Sequence, residues 1–286
     1  ILCLMWLGVS ALPVRAADPP SAAGSVLKLL KSGKVPPARL PSVVEMVCSR
    51  GNERDLAYVF EQTLNENAYA LELRQQALLW LKEAALNRKT LPANREALGS
   101  LLDPAAVNDE KLQLRAIELA HAWKAAGTAP LLVQIARSDK STDAIRAAAM
   151  SALVAVDSAA AKEIANELLA EGQSYHNRTV GVETLAGIDL ASSAQAAAQV
   201  LQSTTAEDDP GPIVDAMLAR EGGAEQLGLA LKATPLSQDV AKLCLRRVYS
   251  EGRSDPGLLD VLAPQAGVSA KPVKLTPATS LWSTMA

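Results

Sequence analysis

The feature that most limits how this chain can fold is the shortness of its helix-forming segments. From about residue 25, segments of roughly 10 to 18 residues rich in Ala and Leu alternate with short breaks of Gly, Pro, Asn or Asp. Ala and Leu head the helix-propensity ranking, whereas strands favour β-branched and aromatic residues, and aromatics make up only 3% of this chain. Short helices joined by short turns bury little apolar surface alone, so the neighbouring helices must pack together. The sequence predicts an all-α fold.

The breaks divide the chain into fifteen predicted helices. Gly residues follow several of the predicted ends, and Ser, Thr and Asp precede several of the predicted starts, as helix capping requires. The predicted helices span roughly residues 23–32, 40–50, 53–65, 69–87, 93–102, 109–125, 128–137, 142–156, 158–171, 176–187, 190–203, 210–220, 223–232, 237–250 and 256–265.

An internal repeat runs through the second half of the chain. Aligned positions near the starts of alternate helices recur at intervals of about 32 residues, at Arg146, Arg178, Pro210 and Lys242, and Arg115 lies about 31 residues before the first of them. A period of this length with two helices per unit is the signature of an α-solenoid.

An arginine followed three residues later by alanine resembles the pattern of HEAT repeats. Arg74 with Ala77 and Arg146 with Ala149 match it, while the other aligned arginines match only the apolar spacing. In such an array, each arginine is expected to keep its charged head at the rim and to pack its stem across the seam between units. We therefore expect a right-handed α-solenoid of stacked antiparallel helix pairs with HEAT-like, armadillo-related repeats over residues 23–267.

The N-terminal segment has the pattern of a secretory signal. Ile1–Leu12 is an apolar run too short to span a bilayer, and Val14–Ala17 supplies small residues for cleavage. This pattern predicts a signal peptide over residues 1–17 and a short linker over 18–22; the alternative is a buried N-terminal helix. We expect an exported protein, periplasmic or extracellular, with no membrane attachment after cleavage.

The two ends of the sequence suggest a fragment of a longer protein. The chain does not begin with Met, and Leu275–Ala286 contains no charge, helix cap or closing helix. Residues 268–286 are therefore expected to be an irregular tail or the start of a further domain.

The charge balance narrows the choice of partner. The formal net charge is −3, whereas nucleic-acid binders and proteins held on anionic lipid concentrate Lys and Arg. We expect no nucleic-acid partner, and instead a protein partner or a neighbouring domain of the same polypeptide.

Residues that could carry chemistry are few and scattered. His121 and His176 have no second histidine at ligand spacing, and no phosphate loop, paired-cysteine motif or nucleophile elbow occurs. Cys48 and Cys244 are expected to be buried apolar side chains without a disulfide. The acidic run 207–209 is expected to complement the start of the following helix. We assign no catalytic, cofactor-binding or metal-binding residue, and expect no cofactor in this segment.

Three stretches carry a more particular resemblance. Leu40–Phe60 (LPSVVEMVCSRGNERDLAYVF), Leu114–Lys124 (LRAIELAHAWK) and Gly223–Gly252 are similar to the HEAT-repeat region of exported planctomycete-type (PVC-type) membrane-bound dehydrogenase and haem-binding c-type cytochrome proteins. In those proteins a sorbosone-dehydrogenase-like β-propeller precedes the helical region, and a cytochrome domain with a Cys-x-x-Cys-His motif follows it. The resemblance implies a spacer or docking module of a redox protein. This chain departs from the pattern, because the repeats follow the signal directly and no haem motif is present.

Three functions remain in competition at the level of sequence. The first is a non-catalytic HEAT-repeat interaction scaffold of an exported protein, a fragment of a larger redox protein. The second is part of a c-type cytochrome-containing oxidoreductase whose haem domain lies beyond Ala286. The third is a HEAT-fold enzyme such as a lyase. We expect the first, in which the segment itself is not an enzyme.

Overall fold

The described part of the protein is helical throughout. A computed structural model describes residues 21–103, 107–205, 207–252 and 255–268. Within these ranges the chain forms α-helices and 3₁₀ segments, with no strand. The predicted all-α fold is confirmed.

Three predictions concern residues that the structure does not describe. The signal peptide over 1–17, most of the linker over 18–22 and the tail beyond Val268 lie outside the described residues. Among the helices that are described, none has both the length and the apolar character needed to cross a membrane.

Fourteen α-helices are present in the described ranges, and their bounds lie within a few residues of the predicted ones. They are α1 (Gly24–Lys31), α2 (Leu40–Arg50), α3 (Glu53–Leu64), α4 (Leu71–Arg88), α5 (Glu110–Trp123), α6 (Ala129–Ala136), α7 (Asp143–Val156), α8 (Ser158–Leu168), α9 (Tyr175–Ala186), α10 (Leu190–Gln202), α11 (Gly211–Leu218), α12 (Gly223–Ala233), α13 (Gln238–Ser250) and α14 (Pro256–Gln265). Within the same described ranges, three 3₁₀ segments cover Pro37–Arg39, Arg95–Leu101 and Ala126–Thr128.

The predicted helix over 93–102 is the one that differs in type. Its place is taken by the 3₁₀ segment Arg95–Leu101, because the start of the segment is tied to α3 instead of to its own next turn. The backbone N–H of Ala93 donates to the Glu53 carbonyl, and the Asn94 side chain donates to the Ala57 carbonyl. These bonds hold the chain in an irregular path that an α-helix would not follow.

Helix ends follow the predicted chemistry only in part. The side chains of Thr142 and Ser237 accept hydrogen bonds from the first turns of α7 and α13, as predicted. Gly33 is left-handed after α1, but Gly51 after α2 is not. The carbonyls at the end of α2 are instead satisfied by the Arg88 guanidinium, so a left-handed residue is not needed there.

The chain divides into two compact units, one up to Ala97 and one from Leu98. In the first unit α2 packs against α1, α3 and α4, and α3 also packs against α4. Val44, Val47 and Phe60 are fully buried in this unit. One continuous stack over residues 23–267 stays a prediction.

In the second unit most helices contact their neighbour along the chain and the helix after that neighbour, although α8 does not pack extensively against α10. Among odd-numbered helices, α5 packs against α7, α7 against α9, α9 against α11, and α11 against α13. Among even-numbered helices, α6 packs against α8, α10 against α12, and α12 against α14. The side chains buried between them are mostly Ala, Leu, Val and Ile. Each helix therefore buries its apolar surface against several others.

Polar contacts join consecutive odd-numbered helices, or the turns that lead into them, at a sequence separation close to the predicted repeat. They are the bond from Thr142 to Glu110, the contact of His121 with the Ser151 carbonyl, the approach of His176 to Asp143, the bond from Tyr175 to the Asp209 carbonyl, and the paired bonds from Arg247 to Asp215.

The burial pattern follows the repeat except at one position of α13. Leu153, Leu185, Met217 and Tyr249 recur at intervals of 32 residues; the first three are buried, whereas Tyr249 is 57% exposed. Leu245 stays buried at the position of Ala149 and Ile213, so the register of the repeat is kept in α13.

The prediction that each arginine keeps its charged head at the rim is wrong for Arg74. This side chain is buried, and its Nε donates to the Thr63 carbonyl at 2.8 Å. Arg115 and Arg146 stay partly exposed and pair with Glu118 and Asp143 of their own helices. The arginine pattern therefore marks helix starts in this chain, and the surroundings of each arginine decide its role.

Close backbone packing of α12 on α14 gives a direct test of the fold. A Cβ on Gly228 would stand 2.9 Å from the Gly257 carbonyl oxygen, while a Cβ on Gly257 would meet nothing within 4 Å. We expect Gly228→Ala to destabilise the protein by about 1–3 kcal/mol through overpacking, reduced by up to ~1 kcal/mol of gained helix propensity.

Urea unfolding of the full chain measures this change, with Gly257→Ala as the matched control. The control is expected to be neutral or slightly stabilising. Equal unfolding midpoints for the two variants would contradict the close approach of α12 and α14.

Candidate groove between α7 and α9

A groove lies between α7 and α9 in the second unit. It consists of two adjoining hollows of about 210 Å³ and 370 Å³, which share Ala147 and Val180 in their lining. We call this feature the α7–α9 groove. Its lining includes Arg137, Asp143, Arg146, Ala147, Ser151, Val154, Ala155 and Glu167, with His121, His176, Val180, Glu183, Gly187 and Arg220.

The groove arises from small side chains at helical spacing. Along α7 the lining residues Ala147, Ser151 and Ala155 recur every four residues, and along α9 Val180 and Glu183 are followed by Gly187. Residues four apart lie on the same face of a helix, so each helix presents one continuous stripe to the groove. Because most of these side chains are short, the two helices leave open space along the stripe.

The charges at the first end of the groove are already paired within the protein. Arg146 pairs with Asp143, and the Nε2 atom of His176 lies 3.8 Å from the Asp143 carboxylate. Arg137 forms hydrogen bonds with Glu167 at 2.6 and 3.1 Å. Hydrogen bonds to Glu167 first, and also to neighbouring Glu163, raise the pKa of Arg137. This end offers little charge that a ligand could engage.

The second end contains two charged groups that the protein leaves unengaged. In the part of the chain that the structure describes, neither the Glu183 carboxylate nor the Arg220 guanidinium makes a hydrogen bond or ion pair. Desolvation by the surrounding protein raises the pKa of Glu183; His176 opposes this shift and Asp215 adds to it. By contrast, Asp215 itself is held by Arg247 through bonds of 2.7 and 2.6 Å.

Two uncharged polar groups lie beside these charges. His121 Nδ1 is 3.1 Å from the Ser151 carbonyl oxygen, and that contact requires the proton on Nδ1. The Nε2 atom of an otherwise exposed ring is then available as an acceptor. The Ser151 side chain is also exposed. Both can form hydrogen bonds with a bound ligand.

The residues singled out from the sequence do not form a single site. His121 and His176 line opposite ends of the groove. Cys48 and Cys244 are buried and free of disulfides, as predicted, and burial raises the pKa of each thiol to about 12. In the acidic run, Asp209 accepts a hydrogen bond from the Gly211 N–H at the start of α11, as expected.

The described residues contain no group of three or more His, Cys, Asp or Glu side chains placed to hold a metal ion. Sequence reasoning missed Glu183 and Arg220, which lie on different helices and match no motif. The one available signal was that Glu183 is the only charged residue between Arg178 and Asp189.

A hollow between α10 and α12 differs in character. It measures about 390 Å³ and is lined by alanines, Leu229 and the amides of Gln195, Gln199 and Gln226, with no charged residue. It therefore lacks the groups that would select one partner over another by charge.

Comparison of the chain with protein-family models, with curated proteins and with solved structures finds no match. The resemblance of residues 40–60, 114–124 and 223–252 to the planctomycete-type redox proteins stays a prediction.

The raised pKa of Glu183 makes a prediction about stability. A carboxylate whose pKa is higher in the folded than in the unfolded protein destabilises the fold when it is ionised. We expect Glu183→Gln to raise stability at pH 7 by roughly a few tenths of a kcal/mol, because solvent screens the groove. The gain should disappear as the pH falls below about 4, where the carboxyl is protonated in both states.

Thermal unfolding at pH 7 and at about pH 4 measures the difference. Glu171→Gln, on the exposed turn after α8, controls for the loss of one negative charge. A lower melting temperature of Glu183→Gln at pH 7 would show that the carboxylate has a stabilising partner.

Proposed function

We propose that this protein is a non-catalytic interaction scaffold that binds a polypeptide in the α7–α9 groove. The partner is another protein or a neighbouring domain of the same polypeptide. The observation that carries the proposal is the combination of an open groove with an apolar floor and two charged groups, Glu183 and Arg220, that the protein itself does not use.

The proposed architecture is a right-handed α-solenoid of HEAT-like helix pairs. The contacts between alternate helices of the second unit support it, as do polar links at about the 32-residue period of the sequence. Solenoids expose long faces to which successive helices contribute contacts, and such faces suit extended protein partners.

The dimensions of the groove favour a polypeptide. His176 and Gly187 line its two ends and are about 16 Å apart along α9 at the usual helical rise. An extended chain covers this length with about five residues. The side chains on the floor are short, so a backbone can approach α7 and α9 closely.

Selection from a phage-displayed library of random peptides tests the proposal. We expect the full chain to select binders, and Ala147→Arg to weaken them by about tenfold or more, because the new side chain fills the middle of the groove. Ser151→Arg, at an exposed groove position, is a second blocking variant that does not disturb the core.

The matched control is Ala159→Arg, an exposed alanine of α8 outside the groove, which should leave binding unchanged. Circular dichroism establishes that all variants are folded. Binders insensitive to both groove variants, or failure to select any binder, would contradict the proposal.

The proposal extends to an exported protein, periplasmic or extracellular, that is a fragment of a larger redox protein. The apolar run Ile1–Leu12, followed by a small-residue cleavage pattern, supports export. Alkaline phosphatase fused after residue 22 should be active in a bacterial host, because the enzyme requires an exported location to form its disulfides. The same fusion without the apolar run should be inactive; equal activity of the two would argue against export.

A further inference from the structure

We propose that the α7–α9 groove selects an extended peptide segment with one basic and one acidic side chain two residues apart. Glu183 binds the basic side chain and Arg220 binds the acidic one. This inference rests on the proposed function of the groove as a polypeptide site, and it adds the chemistry of the partner.

Within the described part of the chain, some charged side chains of the groove have partners in the protein, and two do not. Asp143, Arg146 and Arg137 already have partners of opposite sign. Glu183 and Arg220 lie in the same hollow and do not bond to each other or to any other described residue. A partner with both charges complements both groups, whereas a partner of one sign would leave one of them opposed or unused.

Glu183 and the Arg220 guanidinium both lie at the end of α9. Gly187 lies one helical turn beyond Glu183, and the Arg220 Nη2 atom stands 3.4 Å from the position that a Cβ on Gly187 would take. Positions four apart on a helix are about 6 Å apart at their Cβ atoms. In an extended peptide, side chains two residues apart lie on the same face and about 6.6 Å from each other. Two peptide side chains with this separation can therefore reach the positions of Glu183 and Gly187, and the second of these positions lies beside the Arg220 guanidinium.

A peptide can reach the space beside Arg220 because the residue that lines it there is a glycine. Gly187 is exposed, and any side chain there would stand within 3.1 Å of Val154 Cγ1 and close to the Arg220 guanidinium. The absence of a side chain thus keeps the passage between α7 and α9 open beside Arg220. Exposed Ser151 and His121 line the same hollow and provide hydrogen-bonding groups for a peptide backbone.

The Glu183 carboxylate also bears on the stability of the free protein. Glu183 is exposed, but the surrounding protein partly desolvates its carboxylate and raises its pKa, and the carboxylate makes no hydrogen bond to a described residue. A basic side chain placed beside it supplies the missing interaction. Sites that bind a partner often retain such locally unfavourable groups.

Fluorescence anisotropy with synthetic peptides tests the inference on the full chain. The probes are fluorescein-labelled pentapeptides Ala-Lys-Ala-Asp-Ala and Ala-Asp-Ala-Lys-Ala, so that both chain directions are sampled. A peptide with adjacent Lys and Asp, whose side chains point to opposite faces, is the spacing control. We expect at least one of the spaced peptides to bind about tenfold tighter than the control at low salt, and the preference to shrink at high salt.

Double-mutant cycles assign each contact. Replacing Lys of the probe by norleucine should weaken binding about tenfold to the unmodified protein and hardly at all to Glu183→Gln. Replacing Asp of the probe by Asn should do the same for Arg220→Gln. Glu171→Gln and Arg246→Gln, at exposed positions outside the groove, should retain the full preference.

The outcomes separate this inference from the proposed function. If library-selected peptides bind in the groove but probes with and without the spaced charges bind alike, the scaffold function stands and the charge selection is wrong. Norleucine and Asn effects that are the same in the unmodified protein and in the variants would also overturn it, as would the absence of binding by any charged probe.

Discussion

The structure depends on mutual burial by helices that are too short to be stable alone. Most helices of the second unit have 8 to 14 residues, and isolated helices of that length are marginal in water. Each one gains stability by packing its apolar face against several other helices of the unit. Alanine at these contacts, as at Ala149 and Ala197, lets the helix backbones approach closely. Polar links such as Arg247 to Asp215 then fix neighbouring helices at the rim without entering the apolar contact.

The same use of small side chains explains the α7–α9 groove. On their buried faces α7 and α9 contribute Ala149 and Val182, which are covered by other helices. On the opposite faces of α7 and α9, no further described helix covers short side chains such as Ala147. Short side chains allow close packing on the buried faces, but on the uncovered faces they leave a channel. A concave surface is thus a direct consequence of the composition that holds the helices together.

The sequence predicted the helices well because their signal is local. Propensity, capping residues and apolar spacing all act within a few turns, and they placed α7, α9 and α13 within a few residues. The sequence-based prediction failed where contacts between residues far apart in the sequence determine the local structure. The segment over 93–102 became a 3₁₀ segment because of bonds to α3, and Arg74 became buried because the Thr63 carbonyl needed a donor. The candidate site was beyond sequence reasoning for the same reason, since Glu183 and Arg220 belong to different helices and meet only after the helices pack.

Among the described residues, the groove contains both paired and unpaired charged side chains, and the unpaired ones bear on its function. The protein pairs nearby Asp215 with Arg247, whereas Glu183 has no hydrogen-bonded partner among the described residues. Glu183 and Arg220 are both exposed in the same hollow, the surrounding protein raises the pKa of the Glu183 carboxyl, and neither charged group bonds to another described residue. The raised pKa of Glu183 indicates that its ionised carboxylate slightly lowers the stability of the free protein, and an oppositely charged partner would complement both side chains. The local cost is explained if the complex, and not the free chain, is the state in which these two side chains act.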